Sequence, residues 1–463
     1  MKVFTASRIF ALCVIIGLIP GIGQATSVRD EIASYLDPYV RSGNFSGSIL
    51  VVQSGKVLFR NSYGRSDVSR NASNKANTKY HVASLSIQFT AAAVMRLVEQ
   101  GKLSLDTKVK EIVPDVPNGE KITVRELLQS NSGLPDANDQ PDYDDLLKAH
   151  QTPESLIQFI RNREPRHEPG GRPRDEEHSA CNLLALIVEK VTGLPFKEVV
   201  RREVFVPLKM NDSGIDDDSP IGKGVALGYV ENGATGLKDA PVIHWSAKTG
   251  NGSAYSTIDD ERRWLDGFFS NKFLSDANRQ MMLDWDEGYG WMKWETKDQP
   301  RFKETIYFMS GNAPGFASVI IYLPRLRGEI IILSNFQIPV PSTIGLDLAA
   351  MLEGGEYHQL ELRNSPLTAE EISHVVGSFT FGPDFYRPNA TLQFVSDPDG
   401  LMLRWPGGPD SPVLVIDDRH FIDRHYWSRF SVADDKNGHA SQLTFVKFKG
   451  QRSPDSPPIS PAH

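Results

Sequence analysis

The chain contains little cysteine and no excess of basic residues. Of its 463 residues only Cys13 and Cys181 are cysteines, and 50 Lys and Arg stand against 58 Asp and Glu, a formal net charge of −8. A chain that loses its N-terminal segment would keep Cys181 alone and could form no internal disulfide. The acidic balance argues against nucleic acid and anionic membrane surfaces as partners.

Two kinds of local motif are also missing. No run of His, Cys, Asp and Glu has the spacing of a zinc motif such as His-Glu-x-x-His, and no glycine-rich segment carries the Gly-Lys-Ser/Thr of a phosphate-binding loop. The sequence therefore predicts neither a metal site nor a cofactor.

The one long apolar run lies at the N-terminus. Lys2 and Arg8 precede the apolar stretch Ile9 to Ile22, and Gly23-Gln24-Ala25 ends in a small residue. The stretch is short for a membrane span, which needs ~20 apolar residues. This pattern is typical of a cleaved signal peptide, residues 1–25. We expect a secreted or periplasmic protein with no membrane span after cleavage.

The most informative internal stretch runs from His81 to Val109. Ala83-Ser84-Leu85-Ser86 leads into a segment whose apolar residues recur at helical spacing, and Gly101 ends it. Before it in the chain, Gly47 to Val52 and Val57 to Phe59 form a hairpin pattern around a Ser-Gly turn. Other segments of the same kind are Ile122 to Leu134, Gly288 to Trp291, and Pro314 to Ser318 followed by two apolar strands ending at Ser334-Asn335.

These segments, in this order, resemble the serine β-lactamase and penicillin-binding-protein superfamily, in particular its class C-related esterase and D-aminopeptidase branch. The resemblance implies an α/β (α+β) fold: a β-lactamase-like antiparallel sheet flanked by helices, with a helical lobe and a cleft that holds Ser84. In that family the nucleophilic Ser opens a helix as Ser-x-x-Lys, and the Lys one turn later takes the hydroxyl proton.

The catalytic motifs depart from the family pattern. Ile87 stands where the Lys is expected, and Glu176 and His178 stand where the Tyr and Asn of Tyr-x-Asn are expected. Met309 replaces the Lys or His of the third motif, whose glycine survives as Gly311. Met can neither shuttle a proton nor bind a carboxylate as a cation does. A literal Lys-Thr-Gly at Lys248 lies before a different helix, so we do not assign it to the third motif.

Two interpretations stay open. In the first, the protein is a non-catalytic homologue, or pseudoenzyme, that retains Ser84 as a remnant nucleophile or merely as a helix cap. In the second, it is a divergent serine hydrolase, an esterase or peptidase, with His178 as base and Glu176 as orienting carboxylate. Main-chain N–H groups of Ser84 and Asn312 would then form the oxyanion hole. Expected partners are a small-molecule or peptidoglycan-like ligand in the cleft, or another protein.

The domain organisation follows from composition. We expect the β-lactamase-like domain over residues 26–355, a polar linker over 356–366, a small C-terminal all-β barrel or sandwich over 367–450 and a Pro/Ser-rich disordered tail over 451–463. The linker is short, so we expect the C-terminal domain to dock on the first, with Asp423 to Trp427 as one candidate contact run.

Overall fold

The structure is a computed structural model that describes residues 27–171, 177–233, 235–270, 272–284, 289–297, 299–397, 400–408, 410–436 and 440–453. The predicted signal peptide and most of the predicted tail lie outside these residues. The helices are α1 (Val28–Arg41), α2 (Ser86–Glu99), α3 (Val109–Ile112), α4 (Val124–Leu128), α5 (Tyr143–Leu146), α6 (Pro153–Ile160), α7 (His178–Thr192), α8 (Phe196–Val200), α9 (Ile258–Phe268), α10 (Asp276–Leu283), α11 (Val340–Leu352) and α12 (Ala369–Val375).

Short helical turns of other types lie between them: 3₁₀ turns at Ala83–Leu85, Ala137–Asp139 and Trp245–Lys248, and a π-helical turn at Arg201–Phe205. The strands of the first domain are β1 (Gly47–Gln53), β2 (Lys56–Tyr63), β3 (Arg65–Asp67), β4 (Ala72–Ser73), β5 (Tyr80–His81), β6 (Gly214–Ile215), β7 (Tyr229–Asn232), β8 (Gly236–Asp239), β9 (Ala254–Ser256), β10 (Met292–Trp294), β11 (Ile306–Ala313), β12 (Phe316–Leu323) and β13 (Gly328–Ser334).

The main sheet has six antiparallel strands in the order β10-β11-β12-β13-β1-β2. Its central strands read as nearly continuous apolar runs because both faces are covered. Ile49 and Val51 of β1 belong to one core with α1 and α11, whereas Leu50 and Val52 face the other core. Side chains alternate between the faces of a strand, so each strand must supply apolar residues at every position.

The core that contains Leu50 and Val52 extends into a helical lobe built around α2 and α7. Helix α2 is buried along most of its length, with Phe89, Ala92 and Val94 inaccessible to solvent. Helix α7 is buried similarly and ends at Gly193, whose φ of +69° is the left-handed conformation that terminates helices. None of the described helices is both long and apolar enough to cross a membrane. The α/β fold expected from the sequence is confirmed.

The C-terminal region folds as a closed eight-stranded barrel. Its strands are β14 (Gly377–Thr380), β15 (Thr391–Asp397), β16 (Gly400–Arg404), β17 (Asp410–Val415), β18 (His420–Asp423), β19 (Ser428–Asp434), β20 (Ala440–Phe445) and β21 (Phe448–Arg452). Aromatic side chains fill the interior, among them Phe379, Phe394 and Phe430. Val446, with φ +53°, lies in the turn between β20 and β21.

The barrel packs against the first domain through Arg424. This side chain is fully buried, and its guanidinium donates hydrogen bonds to Asn44 Oδ1 at 2.8 Å and to the carbonyl of Gly236 at 2.9 Å. Leu414 and Ile422 of the barrel join the apolar core beneath α1. The predicted contact run Asp423 to Trp427 does contain residues that contact the first domain.

Candidate active site

The segment that carries Ser84 is clamped on both sides by hydrogen bonds. The Ser318 hydroxyl donates to the carbonyl of Val82 at 2.7 Å, and the Val82 N–H donates to the carbonyl of Ala254 at 2.9 Å. The Ser86 hydroxyl donates to the carbonyl of Ala83 at 2.6 Å and accepts the N–H of Ala254 at 2.9 Å. These contacts hold the turn in which Ser84 precedes α2.

The residue before Ser84 has an unusual backbone conformation. Ala83 has φ +51°, in the left-handed region that non-glycine residues seldom occupy. Such a residue costs of order 1–3 kcal/mol and persists only where its surroundings impose it. The hydrogen bonds around the turn supply that constraint. The turn that carries Ser84 is therefore strained at Ala83.

Gly311 allows strand β11 to approach the main chain of Ser84. A β-carbon at Gly311 would lie 2.7 Å from the Ser84 nitrogen and 2.5 Å from the carbonyl oxygen of Val82, so any larger residue would clash. The next residue, Asn312, pairs with Ala317 on β12. Steric crowding thus explains why the third motif keeps its glycine at Gly311. The role of the Ser84 and Asn312 N–H groups as an oxyanion hole stays a prediction.

Two apolar side chains occupy the positions where the family pattern places its base and its cation or imidazole. Ile87, half-buried, and Met309, 2% exposed, both end over Gly290. A β-carbon at Gly290 would lie 3.0 Å from Ile87 Cγ2 and 3.1 Å from Met309 Cε. The Ser84 hydroxyl makes no hydrogen bond with any other residue in the described part of the chain. Proton transfer from Ser84 therefore has no acceptor in hydrogen-bond contact there.

His178, the candidate alternative base, is bonded elsewhere. It is the first residue of α7, and its Nδ1 lies 3.2 Å from Asp136 Oδ2, which also accepts the His178 main-chain N–H at 2.8 Å. No hydrogen bond between His178 and Ser84 occurs among the described residues, and Glu176 lies outside them. Among the described residues, the carboxylate beside the imidazole is Asp136. The Ser-His-Glu arrangement stays a prediction.

Asp136 is a buried anion at the edge of this site. Burial alone would raise its pKa, but hydrogen bonds from His178 outweigh burial and hold the pKa below its usual value. The neighbouring Glu177 is also buried and accepts hydrogen bonds from the Ser132 N–H at 2.9 Å and the Gly133 N–H at 2.8 Å. These carboxylates fix the start of α7 to the loop that follows α4.

Lys248, set aside in the sequence analysis, is the buried amine of this region. Its Nζ donates to the Tyr143 hydroxyl at 2.8 Å, and burial lowers the pKa of Lys248 to about 8, against an opposing effect of Asp136. It ends the Trp245–Lys248 turn rather than lying on β11. The following residues bridge α2 and α7, since Thr90 Oγ1 donates to the Gly250 carbonyl at 2.6 Å and Asn182 Nδ2 to the Thr249 carbonyl at 2.6 Å.

His81 lies three residues before Ser84 and forms a second buried polar pair. Its Nε2 is 2.8 Å from Asp216 Oδ2, and its ring stacks on Trp245 with centroids 3.7 Å apart. Burial lowers the pKa of His81, although Asp216 partly opposes this. The pair borders a cavity of about 370 Å³ that Phe316 and Pro314 also line.

The six-stranded sheet, the helical lobe and the Ser84 turn, which packs against Gly311 of β11, define the class. The protein has the serine β-lactamase and penicillin-binding-protein fold. The sequence matches the Beta-lactamase family over residues 32–353, so the chain belongs to that family.

Relatives in sequence and structure agree with this assignment. Protein flp of Staphylococcus aureus (strain MRSA252) is 27% identical over 326 residues, which cover 66% of this chain and 63% of that protein. Penicillin-binding protein 4* of Bacillus subtilis (strain 168) is 25% identical over 335 residues, 66% of this chain and 72% of that protein. The match thus spans less than two thirds of the length of protein flp.

Among solved structures, an octameric penicillin-binding protein homologue from Pyrococcus abyssi superposes with a TM-score of 0.63 at 22% identity. The superposition covers 91% of this chain and 99% of that one. At this identity the likeness establishes the fold alone.

Proposed function

We propose that this protein is a non-catalytic member of the Beta-lactamase family that keeps the cleft at Ser84 for binding. The observation that carries the proposal is that the apolar side chains of Ile87 and Met309 both lie against Gly290. A serine hydroxyl without a general base is a poor nucleophile at neutral pH. Removal of such a base typically costs ~10²–10⁴ in rate, and groups that act together fail together.

The proposed ligand is a peptide or acyl compound with a carbonyl or carboxylate group, of the kind found in peptidoglycan fragments. Support comes from the retained turn at Ser84, the close approach of β11 to that turn at Gly311 and the kinship with penicillin-binding proteins. Main-chain N–H groups that bind an oxyanion also bind a neutral carbonyl, more weakly. A protein partner on the same surface remains the other form of this proposal.

The direct test is equilibrium binding with product analysis. An acyl-D-alanyl-D-alanine peptide is titrated against the full chain, and the same mixture is followed for release of D-alanine. We expect saturable binding without release. Ser84→Trp, which fills the cleft, should abolish binding, whereas Ser69→Trp at an exposed position is the matched control. Release of D-alanine that depends on Ser84 would refute the proposal.

A second candidate is a divergent serine hydrolase that uses a different base. The observation that favours it is the Lys248 amine, buried, 2.8 Å from the Tyr143 hydroxyl and with its pKa lowered to about 8. Under this alternative, ester hydrolysis should rise as pH passes about 8 and should vanish in both Ser84→Ala and Lys248→Met. Under the binding proposal neither substitution changes a background rate.

We also propose export of the chain through its N-terminal leader. The support is the charge and hydropathy pattern of residues 1–25, which lie outside the described residues. Expression of the full chain in a bacterial host, with N-terminal sequencing of the secreted product, should give a new terminus after Ala25. Cytosolic retention of the uncleaved chain would contradict this.

A further inference from the structure

Two histidines and one aspartate converge on the surface of the helical lobe. His150 Nδ1 lies 2.8 Å from Asp218 Oδ2, and His244 Nδ1 lies 3.2 Å from the same oxygen. The three ligand-type atoms all lie within 4.8 Å of one another. The residues come from three separate segments: the loop after α5, the turn after β6 and the residues before the Trp245–Lys248 turn.

Main-chain contacts hold these three segments in place. Asp218 has φ +69°, and its N–H donates to Asp216 Oδ1 at 2.8 Å, which fixes the direction of its carboxylate. The His244 N–H donates to the carbonyl of Leu147 at 2.9 Å, and the Gln151 N–H donates to the Ser246 hydroxyl at 2.8 Å. The arrangement is therefore set by the backbone rather than by the exposed histidine side chains alone.

The exposure of the two histidines suits the binding of an ion. The side chains of His150 and His244 are 57% and 44% exposed, which leaves room for an ion and for water. Neutral imidazoles supply the nitrogen lone pairs that transition metals prefer.

We propose that His150, Asp218 and His244 bind a divalent transition-metal ion, with Zn²⁺ as the best match, through two imidazole nitrogens and one carboxylate oxygen. Metal–ligand distances of about 2.0–2.2 Å in a tetrahedral site place neighbouring donor atoms roughly 3.3 Å apart. The two His–Asp separations, 2.8 and 3.2 Å, need only a small adjustment, and the two imidazole nitrogens lie within 4.8 Å of each other. The fourth position would take water.

The site also connects to the residues next to Ser84. Asp216, which accepts the Asp218 N–H through Oδ1, binds His81 Nε2 through Oδ2, and Trp245, adjacent to His244, stacks on the His81 ring. A bound ion would thus brace the wall of the cavity that His81 and Trp245 border. We expect metal binding to quench or shift Trp fluorescence in addition to its calorimetric signal.

The test is a titration of the tag-free, metal-stripped full chain with Zn²⁺ by calorimetry, and with Co²⁺ by visible spectroscopy as a geometric probe. We expect one ion per chain and Co²⁺ bands typical of four-coordinate geometry. Excess Mg²⁺ should not compete, because it prefers oxygen ligands. Each of His150→Ala, His244→Ala and Asp218→Asn should weaken binding at least tenfold.

The matched control is His420→Ala. His420 is an exposed histidine whose Nδ1 lies 2.9 Å from Asp417 Oδ1. It belongs to no group of three potential ligands in the described part of the chain. We expect unchanged metal affinity in this variant. Absence of stoichiometric Zn²⁺ binding by the parent, or equal affinity in the parent and the three ligand variants, would overturn the proposal. Thermal unfolding without metal verifies that each variant is folded.

Discussion

Ile87 and Met309 both lie against Gly290. A β-carbon at Gly290 would lie 3.0 Å from Ile87 Cγ2 and 3.1 Å from Met309 Cε. In the family pattern these two positions supply the proton acceptor for the nucleophile and the cation or imidazole across the cleft. The chain fills the same space with hydrocarbon. The fold of the family is thus retained, and we propose that Ser84 has lost the groups that would activate it.

Restoring the motifs together should restore activity. We expect the combined variant Ile87→Lys, Glu176→Tyr, His178→Asn and Met309→His to hydrolyse an activated ester at least tenfold faster than the parent, measured as kcat/KM. Each single reversion should change the rate little, because these groups act as a unit. Full activity from Ile87→Lys alone would show that the other three positions were misassigned.

Covalent reaction with β-lactams should be absent. Without an acceptor for its proton, Ser84 should form no stable penicilloyl adduct and turn over no chromogenic cephalosporin above the level of Ser84→Ala. Intact-protein mass spectrometry after incubation with penicillin measures the adduct. A mass increase that disappears in Ser84→Ala would contradict the expected inertness toward β-lactams.

The resemblance predicted the family and the serine turn because those features depend on local sequence. Ser84, the helix after it and Gly311 lie within short segments whose residue types the backbone dictates. Lys248 and Tyr143 are different: they lie 105 residues apart and meet only through the packing of the helical lobe. His150, Asp218 and His244 likewise form no local spacing, so the expectation of no metal site rested on motifs alone.

His178 shows the limit of aligning single residues. Its position at the start of α7 agrees with the alignment to the Asn of Tyr-x-Asn. Its bonding to Asp136, 42 residues earlier, depends on the loop after α4, which local sequence does not define.

Glu261 should make the protein less stable as pH rises. Its carboxyl group is fully buried in α9, and burial raises its pKa from 4.5 to about 8, although the Ser256 hydroxyl opposes the shift. Between these two values the folded state holds a proton that the unfolded chain has released, so stability falls with rising pH across this window. One pKa unit corresponds to about 1.4 kcal/mol.

Glu261→Gln should therefore flatten the pH dependence of the unfolding free energy between pH 5 and 8. The unfolding free energy of Glu261→Gln should exceed that of the parent by a margin that grows toward pH 8. Denaturant titrations at several pH values measure this, with the exposed Glu370→Gln as control. The assignment fails if parent and Glu261→Gln have parallel profiles.

Arg424 should be the main polar determinant of the contact between the domains. Arg424→Ala removes the donor for the buried Asn44 Oδ1 and for the partly buried carbonyls of Gly43, Gly233 and Gly236. Stranding buried acceptors of this kind should cost roughly 2–4 kcal/mol. We expect a lower Tm by scanning calorimetry, whereas Arg404→Ala, which breaks only an exposed pair with Asp410, should change little. Equal Tm values would mean that the apolar contacts alone hold the barrel.

The most direct test of the central claim is the reactivity of Ser84 toward an activated serine-directed acylating or phosphonylating probe. The full chain is incubated with the probe at neutral pH, and the adduct is located by intact and peptide mass spectrometry beside Ser84→Ala. We expect no labelling of Ser84 above the Ser84→Ala control. We expect stoichiometric labelling in the combined variant Ile87→Lys, Glu176→Tyr, His178→Asn and Met309→His. Rapid, stoichiometric modification of Ser84 in the parent chain would contradict the central claim.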